Sequence, residues 1–244
     1  MSSNNASPAC PAFTLIELLV VIAIIAILAS VSFPAIASAM TSASKAKSAG
    51  NLKNFGVAMH SFVADNNGRL PGANGGSSGT LSGISPIAKS SSANSLQVQL
   101  MTYLEKERPS GNSWGTFFMK SLAYPAWEKF NKGTADNGVP SYIACQSYKL
   151  PDGSSISPFG GPEGTNMPFT LLQMQTRLSQ MPLGQSKPYA VIETDQALYQ
   201  RVTWNNPGWK SKLPSTPLHR EVRNVLYFDG SVQAVSATNS PYCW

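Results

Sequence analysis

The feature that most constrains the fold is an uncharged stretch from Leu18 to Ser44 that directly follows an acidic residue, Glu17. Its first part, Leu18 to Ala29, is unbroken apolar sequence (LLVVIAIIAILA). A helix that rises about 1.5 Å per residue crosses the roughly 30 Å of bilayer hydrocarbon in about 20 residues. The stretch is therefore long enough to form a membrane-spanning helix.

The residues around this stretch distinguish it from a secretory signal or a plain anchor. A signal has basic residues before its apolar region and a small-residue cleavage site after it. Here residues 1–12 contain no Lys or Arg, and the small-residue junction, Pro11-Ala12, precedes the apolar region. An unpaired charge such as Glu17 costs at least about 2.5 to 3.5 kcal/mol in the hydrocarbon. Cleavage after Ala12 would give Phe13 an α-amino group, and that cation on a neighbouring copy would neutralise Glu17 and set the register of an assembly.

The segment Phe13 to Ile22 (FTLIELLVVI) resembles the N-terminal signature of type IV pilins and of the related pseudopilins of type II secretion. In that family a membrane-embedded prepilin peptidase cleaves just before the Phe, and the new amine is usually methylated. The fifth mature residue of the family is Glu, which corresponds to Glu17. Ala12 stands where the family usually has Gly.

Pro34 lies 21 residues beyond Phe13, where pilins often carry a similar proline. Within a helix it removes one backbone hydrogen bond and clashes with the preceding turn, so we expect a kink or local melting there. A helix that simply ends at Pro34 is the alternative. Against it, apolar residues recur at three- and four-residue steps further along. They are Leu52, Phe55, Met59 and Phe62. We therefore expect one long helix, bent near Pro34 and ending at Asp65-Asn66-Asn67-Gly68, where Gly permits the left-handed conformation.

The fold class expected from these patterns is α+β, with a long N-terminal helix packed on a C-terminal antiparallel sheet, as in pilins. Residues 1–12 would form a prepilin leader, 13–64 the long helix of membrane and filament core, and 65–244 a globular head. In the head, mixed periodicity indicates short helices at 97–106 and 117–129. Strands are predicted at 189–193, 198–203, 222–228 and 232–235. Asp229-Gly230 predicts a tight type I′ hairpin turn, because this pair tolerates positive backbone angles.

His219 precedes Asp229-Gly230 with nine residues between them, a spacing that resembles the C-terminal motif of one pilin-like group. We expect His219 to cap or buttress the hairpin rather than to act in catalysis. Cys145 and Cys243 are the cysteines of the expected mature chain, since Cys10 falls in the leader. In an oxidising compartment they either form a disulfide that ties the C-terminal tail to the head or remain as two thiols.

Composition favours an exported protein, because charged residues make up only 12% of the chain and Gly, Ser, Asn and Thr are abundant. The formal charge of +6 comes from scattered Lys and Arg residues without a run of five or more. No specific nucleic-acid site can be located from that pattern, although a DNA-uptake pilin is one alternative function.

An enzymatic alternative starts from Gly111 to Gly115 (GNSWG), which matches the G-x-S-x-G nucleophile elbow. Ser113, Asp195 and His219 also follow the chain order of the α/β-hydrolase triad. An elbow needs a buried strand before it, whereas the preceding residues are charged and broken by Pro109. A membrane-anchored serine hydrolase is therefore only a remote alternative, and we expect no enzyme.

Metal binding is also not expected from the sequence. His60 and His219 are the only histidines, and no Cys or carboxylate lies at zinc-ligand spacing around them. Major pseudopilins similar to this chain often bind calcium in a head loop, which makes Asp152, Glu163 and Asp195 candidates, but the chain has no EF-hand pattern. We predict no metal and no cofactor.

The sequence thus predicts a structural subunit of a type IV pilus-like helical filament, with a pseudopilin of a type II secretion system as the alternative. The precursor would sit in the bacterial inner membrane with its head outside the cytoplasm, and would later enter a periplasmic or extracellular filament. Its expected partners are other copies of itself, the prepilin peptidase, the inner-membrane assembly platform and, before assembly, the lipid bilayer.

Overall fold

The computed structural model describes residues 14–72, 83–89, 95–105, 115–131, 140–145, 147–150, 153–160, 168–181, 187–199, 211 and 213–238. The chain divides into two compact units, Met1–Ser42 and Ala43–Trp244. The first unit contributes the N-terminal part of the long helix. The second contains the rest of that helix and the α+β head.

Helix α1 spans Leu15–Asp65. It begins at a capping box, in which the Glu17 backbone N–H donates to Thr14 Oγ1 (3.3 Å) and the Thr14 N–H donates to Glu17 Oε2 (2.8 Å). It ends in a Schellman arrangement. Asn67 adopts a φ of 54°, and the N–H of Gly68 donates to the carbonyl of Val63 at 2.9 Å. The predicted stop at Asp65 to Gly68 is confirmed, with Asn67 as the first left-handed residue.

Within the described residues the strands are β1 Gly83–Ile84, β2 Ile87–Lys89, β3 Thr116–Phe118, β4 Tyr142–Ala144, β5 Tyr148–Lys149, β6 Ser155–Ile156, β7 Tyr189–Glu193, β8 Val222–Tyr227 and β9 Val232–Ser236. The principal sheet is antiparallel and has five of these strands in the order β1-β4-β7-β8-β9. Two short two-stranded pairs, β2-β3 and β5-β6, lie outside it. The described residues also form the helices α2 Leu96–Gln99, α3 Met101–Leu104, a 3₁₀ turn Lys120–Leu122, α4 Pro125–Phe130, α5 Leu171–Ser179 and α6 Gln196–Tyr199.

One hydrophobic cluster joins the second half of α1 to this sheet. Leu52, Phe55 and Met59 on α1 are each at most 1% exposed. They belong to the same buried cluster as the apolar residues of β4, β7 and β8, among them Ile143, Val191, Ile192, Val225 and Leu226. Complete burial of each such side chain contributes about 1.5–3 kcal/mol. The expected α+β fold, with a long N-terminal helix and a C-terminal antiparallel sheet, is confirmed.

Two predictions for the head are wrong in part. The segment 117–129 is not one helix, because Phe117 lies in strand β3 and a 3₁₀ turn precedes the short helix α4. Pro125 is the first residue of α4, where a proline is tolerated because the N–H it lacks would have no partner in the helix. The predicted strand at 198–203 begins inside helix α6 and continues beyond the described residues. The strands predicted at 189–193, 222–228 and 232–235 correspond to β7, β8 and β9.

The β8–β9 hairpin forms as predicted, but its turn is not type I′. That turn requires positive φ at both central residues, and among the described non-glycine residues only Asn67 and Arg220 have positive φ. Instead, the Gly230 N–H donates to the Tyr227 carbonyl (3.0 Å), Gly230 has a φ of 78°, and the Tyr227 N–H donates to Ser231 O (2.9 Å). This is a three-residue loop with a type I turn and a G1 bulge, so the Gly alone supplies the left-handed position.

Candidate functional site

The N-terminal segment places the predicted assembly residue, Glu17, in the first turn of α1. Besides the two capping-box hydrogen bonds, the Thr14 hydroxyl donates to Glu17 Oε2 at 2.7 Å. The carboxylate is therefore bonded twice to a residue three positions earlier, and its negative charge lies at the positive end of the helix dipole. Both effects lower the cost of keeping an acid beside an apolar helix.

The apolar part of α1 is exposed along its whole described length in the isolated chain. Leu18, Ile22, Ile25 and Leu28 are 58%, 58%, 58% and 62% exposed, and Phe33 is 71% exposed. Among the described residues, α1 is the one helix that is long and apolar enough to cross a membrane. Such a surface requires an apolar environment, since soluble monomers rarely expose a contiguous apolar patch of this extent.

Hydroxyl groups in this segment are bonded to the helix itself. Ser30 Oγ donates to the Ile27 carbonyl at 2.7 Å and Ser32 Oγ to the Leu28 carbonyl at 2.8 Å. Thr41 repeats the pattern further along, with its hydroxyl donating to the Ala37 carbonyl at 3.0 Å. A hydroxyl that bonds its own backbone needs no partner from water, which suits a helix surrounded by lipid or by other helices.

Pro34 lies inside α1, and the helix runs through it without interruption. The alternative in which the helix ends at Pro34 is therefore wrong, whereas the expected kink or loosening at this position stays a prediction. The missing N–H leaves the carbonyl of Ser30, four residues earlier, without its usual partner. Hydroxyl back-bonding by Ser30 and Ser32 occurs in the same turns, and such bonds often accompany local bending. The predicted processing residues, Ala12 and Phe13, lie outside the described residues.

A second group of polar residues lies buried between α1 and the sheet of the head. At its centre is Glu193, the last residue of β7, which is only 4% exposed. Its Oε1 accepts hydrogen bonds from Ser48 Oγ, from His219 Nε2 (3.1 Å) and from Asn224 Nδ2 (2.9 Å). Its Oε2 accepts from the backbone N–H of Asn224 at 2.8 Å. We call these four residues and Tyr142, which contacts Ser48, the Glu193 cluster.

Donor and acceptor roles in the Glu193 cluster follow from the geometry. The Ser48 hydroxyl is used on Glu193, so the Tyr142 hydroxyl, 3.1 Å away, donates to Ser48 Oγ. Because a carboxylate oxygen only accepts, His219 Nε2 carries a hydrogen and donates it to Glu193, while Nδ1 is buried without a partner among the described residues. Burial raises the pKa of Tyr142 and of Tyr124, and the negative charge of Glu193 is the second cause. The Tyr124 ring lies against the His219 ring.

Asp195 belongs to a separate buried ion pair. Its Oδ2 accepts from Arg223 Nε at 2.5 Å and its Oδ1 from the Leu198 N–H at 2.9 Å, while Arg223 also donates to the Ala237 carbonyl (2.7 Å). His219 is bonded to Glu193 instead. The two described members of the hydrolase alternative thus have different partners, and Ser113 lies outside the described residues.

Calcium binding gains no support from the described residues. Asp195 is paired with Arg223, and Asp152 and Glu163 lie outside the described part of the chain. Within that part, no group of three or more His, Cys, Asp or Glu side chains is arranged to hold a metal ion.

The residues of the predicted motif, His219 and Asp229-Gly230, lie at opposite ends of strand β8, and hydrogen bonds connect both ends to α1. At one end His219 reaches Ser48 through Glu193. At the other, Lys53 Nζ donates to the Gly230 carbonyl at 3.0 Å. Gly230 lies so close to α1 that a Cβ at this position would be 3.2 Å from His60 Nε2. Its φ is also positive, and both features favour glycine.

Asp229 stabilises the turn itself. Its Oδ1 accepts from the Ser231 N–H at 2.8 Å. Partial burial acts to raise the pKa of Asp229, but the Ser231 hydrogen bonds and the charge of Lys187 outweigh it and hold the pKa below its usual value.

Cys145, at the end of β4, is fully buried and disulfide-bonded. Cys243 lies outside the described residues, so its pairing with Cys145 stays a prediction.

Several residues of the site were not found by sequence reasoning, although signals for them exist. Thr14 to Glu17 is a T-x-x-E capping box, which can be read directly from the sequence. The Glu193 cluster is marked more weakly, by polar residues inside otherwise apolar elements. Glu193 ends YAVIE, Asn224 lies within VRNVLY, and Ser48 lies on the helical face that carries Leu52 and Phe55. A buried polar residue requires partners, but the sequence does not tell which ones.

Comparison with known proteins bears on the N-terminal segment alone. Residues 9–33 match a protein family described as the prokaryotic N-terminal methylation motif. No curated protein and no solved structure matches the chain. The matched residues include the predicted cleavage junction, Glu17 and all of the apolar sequence at 18–29, which supports a membrane-anchored precursor of the type IV pilin or pseudopilin kind.

Proposed function

We propose that the chain is a prepilin whose mature form is a structural subunit of a type IV pilus-like helical filament. A prepilin peptidase would cleave between Ala12 and Phe13, and an inner-membrane platform would then insert the subunit into the polymer. The observation that carries the proposal is Glu17 at the start of an exposed apolar helix, inside the residues that match the methylation motif.

The geometry of the first turn supports a two-stage role for Glu17. Before assembly, its hydrogen bonds from Thr14 provide local partners for the carboxylate. During assembly, the amine that cleavage creates on Phe13 of an adjacent copy would supply a charge partner. An ion pair in an apolar bundle specifies register strongly, because leaving one member unpaired is costly.

The apolar surface of α1 supports the filament role in a second way. Lipid tails before assembly and neighbouring helices after it are both apolar surroundings, so residues 18–29 suit both. The self-bonded hydroxyls of Ser30 and Ser32 also need no change of partner between the two environments.

A pseudopilin of a type II secretion system is the alternative form of this proposal. A pilus subunit and a pseudopilin would share the N-terminal segment. They differ in location, because a pilus extends outside the cell and a pseudopilin filament stays in the periplasm. Shearing of cells followed by imaging separates them: long extracellular fibres that contain the chain support the pilus, and retention in the periplasm supports the pseudopilin.

Processing is tested by N-terminal sequencing of the mature protein. The expected first residue is Phe13, carrying a methyl group. A mature chain that starts elsewhere would refute the cleavage model.

The assembly role of Glu17 can be separated from its capping role by two matched variants. Glu17→Gln keeps the capping box, because Gln also serves at this position, but it removes the charge. Thr14→Ala removes the cap and keeps the charge. We expect both variants to insert into the membrane, but only Glu17→Gln to lose filament assembly, scored by the sheared fraction. Normal filaments from Glu17→Gln would rule out the register role.

A further inference from the structure

The uncharged stretch of α1 ends next to the short helix α4. Ser44, its last residue, is only 4% exposed, and its Oγ accepts a hydrogen bond from the backbone N–H of Ala126 at 3.0 Å. Lys45 and Lys47 follow directly in the sequence. In a precursor whose uncharged stretch spans the bilayer, Ser44 marks the level at which the helix enters the headgroup region.

A second hydrogen bond fixes the direction of the chain that leads into α4. Asn51 Nδ2 donates to the Ala123 carbonyl at 2.8 Å. The chain from Ala123 to Ala126 therefore runs beside α1 from the level of Asn51 to that of Ser44, a distance of about 10 Å along the helix axis. It runs toward the start of that part of α1 which packs in the head, and α4 (Pro125–Phe130) begins there.

The side chains of α4 and of the α1 residues that follow Ser44 include three lysines and one exposed aromatic ring. Phe130 is 41% exposed, Lys129 and Lys47 are exposed, and Lys45 is half-buried. In the described part of the chain none of these lysines forms an ion pair, since the pairs found there involve His219 and Arg223. Glu128 is the acidic residue of α4, so three lysines stand against one carboxylate.

We propose that this membrane-proximal patch, formed by Lys45, Lys47, Lys129 and Phe130, binds the headgroup region of a bilayer that contains anionic phospholipid. The inference deepens the proposed function and rests on its membrane-anchored precursor. Lysines attract anionic headgroups, and an aromatic ring partitions into the interface beside them. The same bilayer that holds α1 thus also contacts α4.

The contact would orient the head before assembly. Each lysine near an anionic surface favours the bound state about fivefold, and the attraction fades within roughly 8–10 Å at physiological salt. Extraction of a subunit into the filament would break this contact.

The experiment uses photocrosslinking of the full chain in lipid nanodiscs. The photoreactive residue p-benzoylphenylalanine replaces Phe130 in one variant. A matched control places it at Leu172 on α5, which is 72% exposed. An anchoring control places it at Ile25 in the apolar stretch. Nanodiscs of phosphatidylcholine alone are compared with an equal mixture of phosphatidylcholine and phosphatidylglycerol, and lipid adducts are measured by mass spectrometry.

We expect lipid adducts from positions 25 and 130 and none from position 172. The yield at position 130 should rise several-fold with phosphatidylglycerol. Substitution Lys129→Gln should reduce that yield about fivefold, whereas position 25 should be unaffected by either change.

The possible failures are distinguishable. Adducts at position 25 without adducts at position 130 would overturn the patch and leave the membrane anchor intact. Protein–protein adducts from position 130 in place of lipid would assign the surface to a second copy of the chain and also overturn the inference. Absence of adducts at position 25 would refute the membrane-anchored precursor and the patch with it.

Discussion

Replacement of Glu193 by Gln tests whether the Glu193 cluster holds α1 to the sheet. The carboxylate accepts three hydrogen bonds on Oε1 and one, from the Asn224 backbone N–H, on Oε2. A Gln side chain that keeps its oxygen toward the three donors turns its amide NH₂ toward the Asn224 N–H. That buried donor then loses its acceptor.

The magnitude follows from the number of unsatisfied donors. One buried donor without a partner costs about 1–3 kcal/mol, so Glu193→Gln should lose about 2 kcal/mol of unfolding free energy. For a domain of this size that corresponds to a decrease in Tm of roughly 4–8 °C. Glu193→Ala removes the acceptor for all four donors, for a loss of about 4–12 kcal/mol, which is comparable with the whole stability of a typical domain. We therefore expect the alanine variant not to fold.

Near-ultraviolet circular dichroism of the full chain in detergent is a suitable assay. Between residues 14 and 44 the only aromatic residue is Phe33, so the signal reports on the head. The control is Glu221→Gln on the exposed Glu221, for which a change within about 0.5 kcal/mol is expected. If Glu193→Gln unfolds at the same temperature as the control, the carboxylate is not required and the reasoning fails.

Three further outcomes follow from the structure. Because the pKa of Asp229 is lowered on folding, its contribution to stability is present above about pH 4 and lost as the pH falls through the folded value. Asp229→Asn should abolish that part of the acid dependence in thermal unfolding, and a wild-type slope in the variant would contradict the assignment. Burial raises the pKa of three tyrosines, so the free energy of unfolding should fall as the pH rises above about 10. In an absorbance titration, ionisation of these tyrosines should coincide with unfolding. Ionisation at a pH below that of unfolding would contradict their burial. They are Tyr124, Tyr142 and Tyr189. Gly72→Ala should destabilise by about 3 kcal/mol or more, because its Cβ would lie 2.0 Å from the Phe159 carbonyl oxygen, whereas Gly50→Ala in open helix should stabilise by about 0.5–1 kcal/mol. Equal unfolding temperatures for the two glycine variants would refute that contrast.

The elements predicted correctly from the sequence are those with strong local signals. Helix α1 is continuous and unusually apolar, and its end is marked by Asn67 and Gly68 with positive φ. Strands β7, β8 and β9 contain alternating or clustered β-formers. These patterns arise from backbone conformation and burial within one element, so they can be recognised without knowledge of the rest of the chain.

The predictions that failed depend on neighbours in space. Phe117 joins a strand because Ala88 on β2 lies opposite it, a partner 29 positions away in sequence. The turn after Tyr227 is set by the G1 bulge of the hairpin rather than by the preference of the Asp-Gly pair. The Glu193 cluster joins residues of α1, β4, β7 and β8, and periodicity within one element cannot identify such a set.

The polar residues of α1 separate the helix into two chemically different parts. Between Ser30 and Thr41, three hydroxyls bond to carbonyls of the same helix three or four residues earlier. From Ser44 onward, three buried polar side chains bond instead to the head: Ser44 to Ala126, Ser48 to Glu193 and Asn51 to Ala123. A segment whose hydroxyls bond only its own backbone can exchange lipid for neighbouring helices without losing hydrogen bonds, whereas the later segment can leave the sheet only by exposing buried donors and acceptors. The change at Ser44 therefore allows one continuous helix to serve both as the membrane and filament segment that we propose and as part of the core of the head.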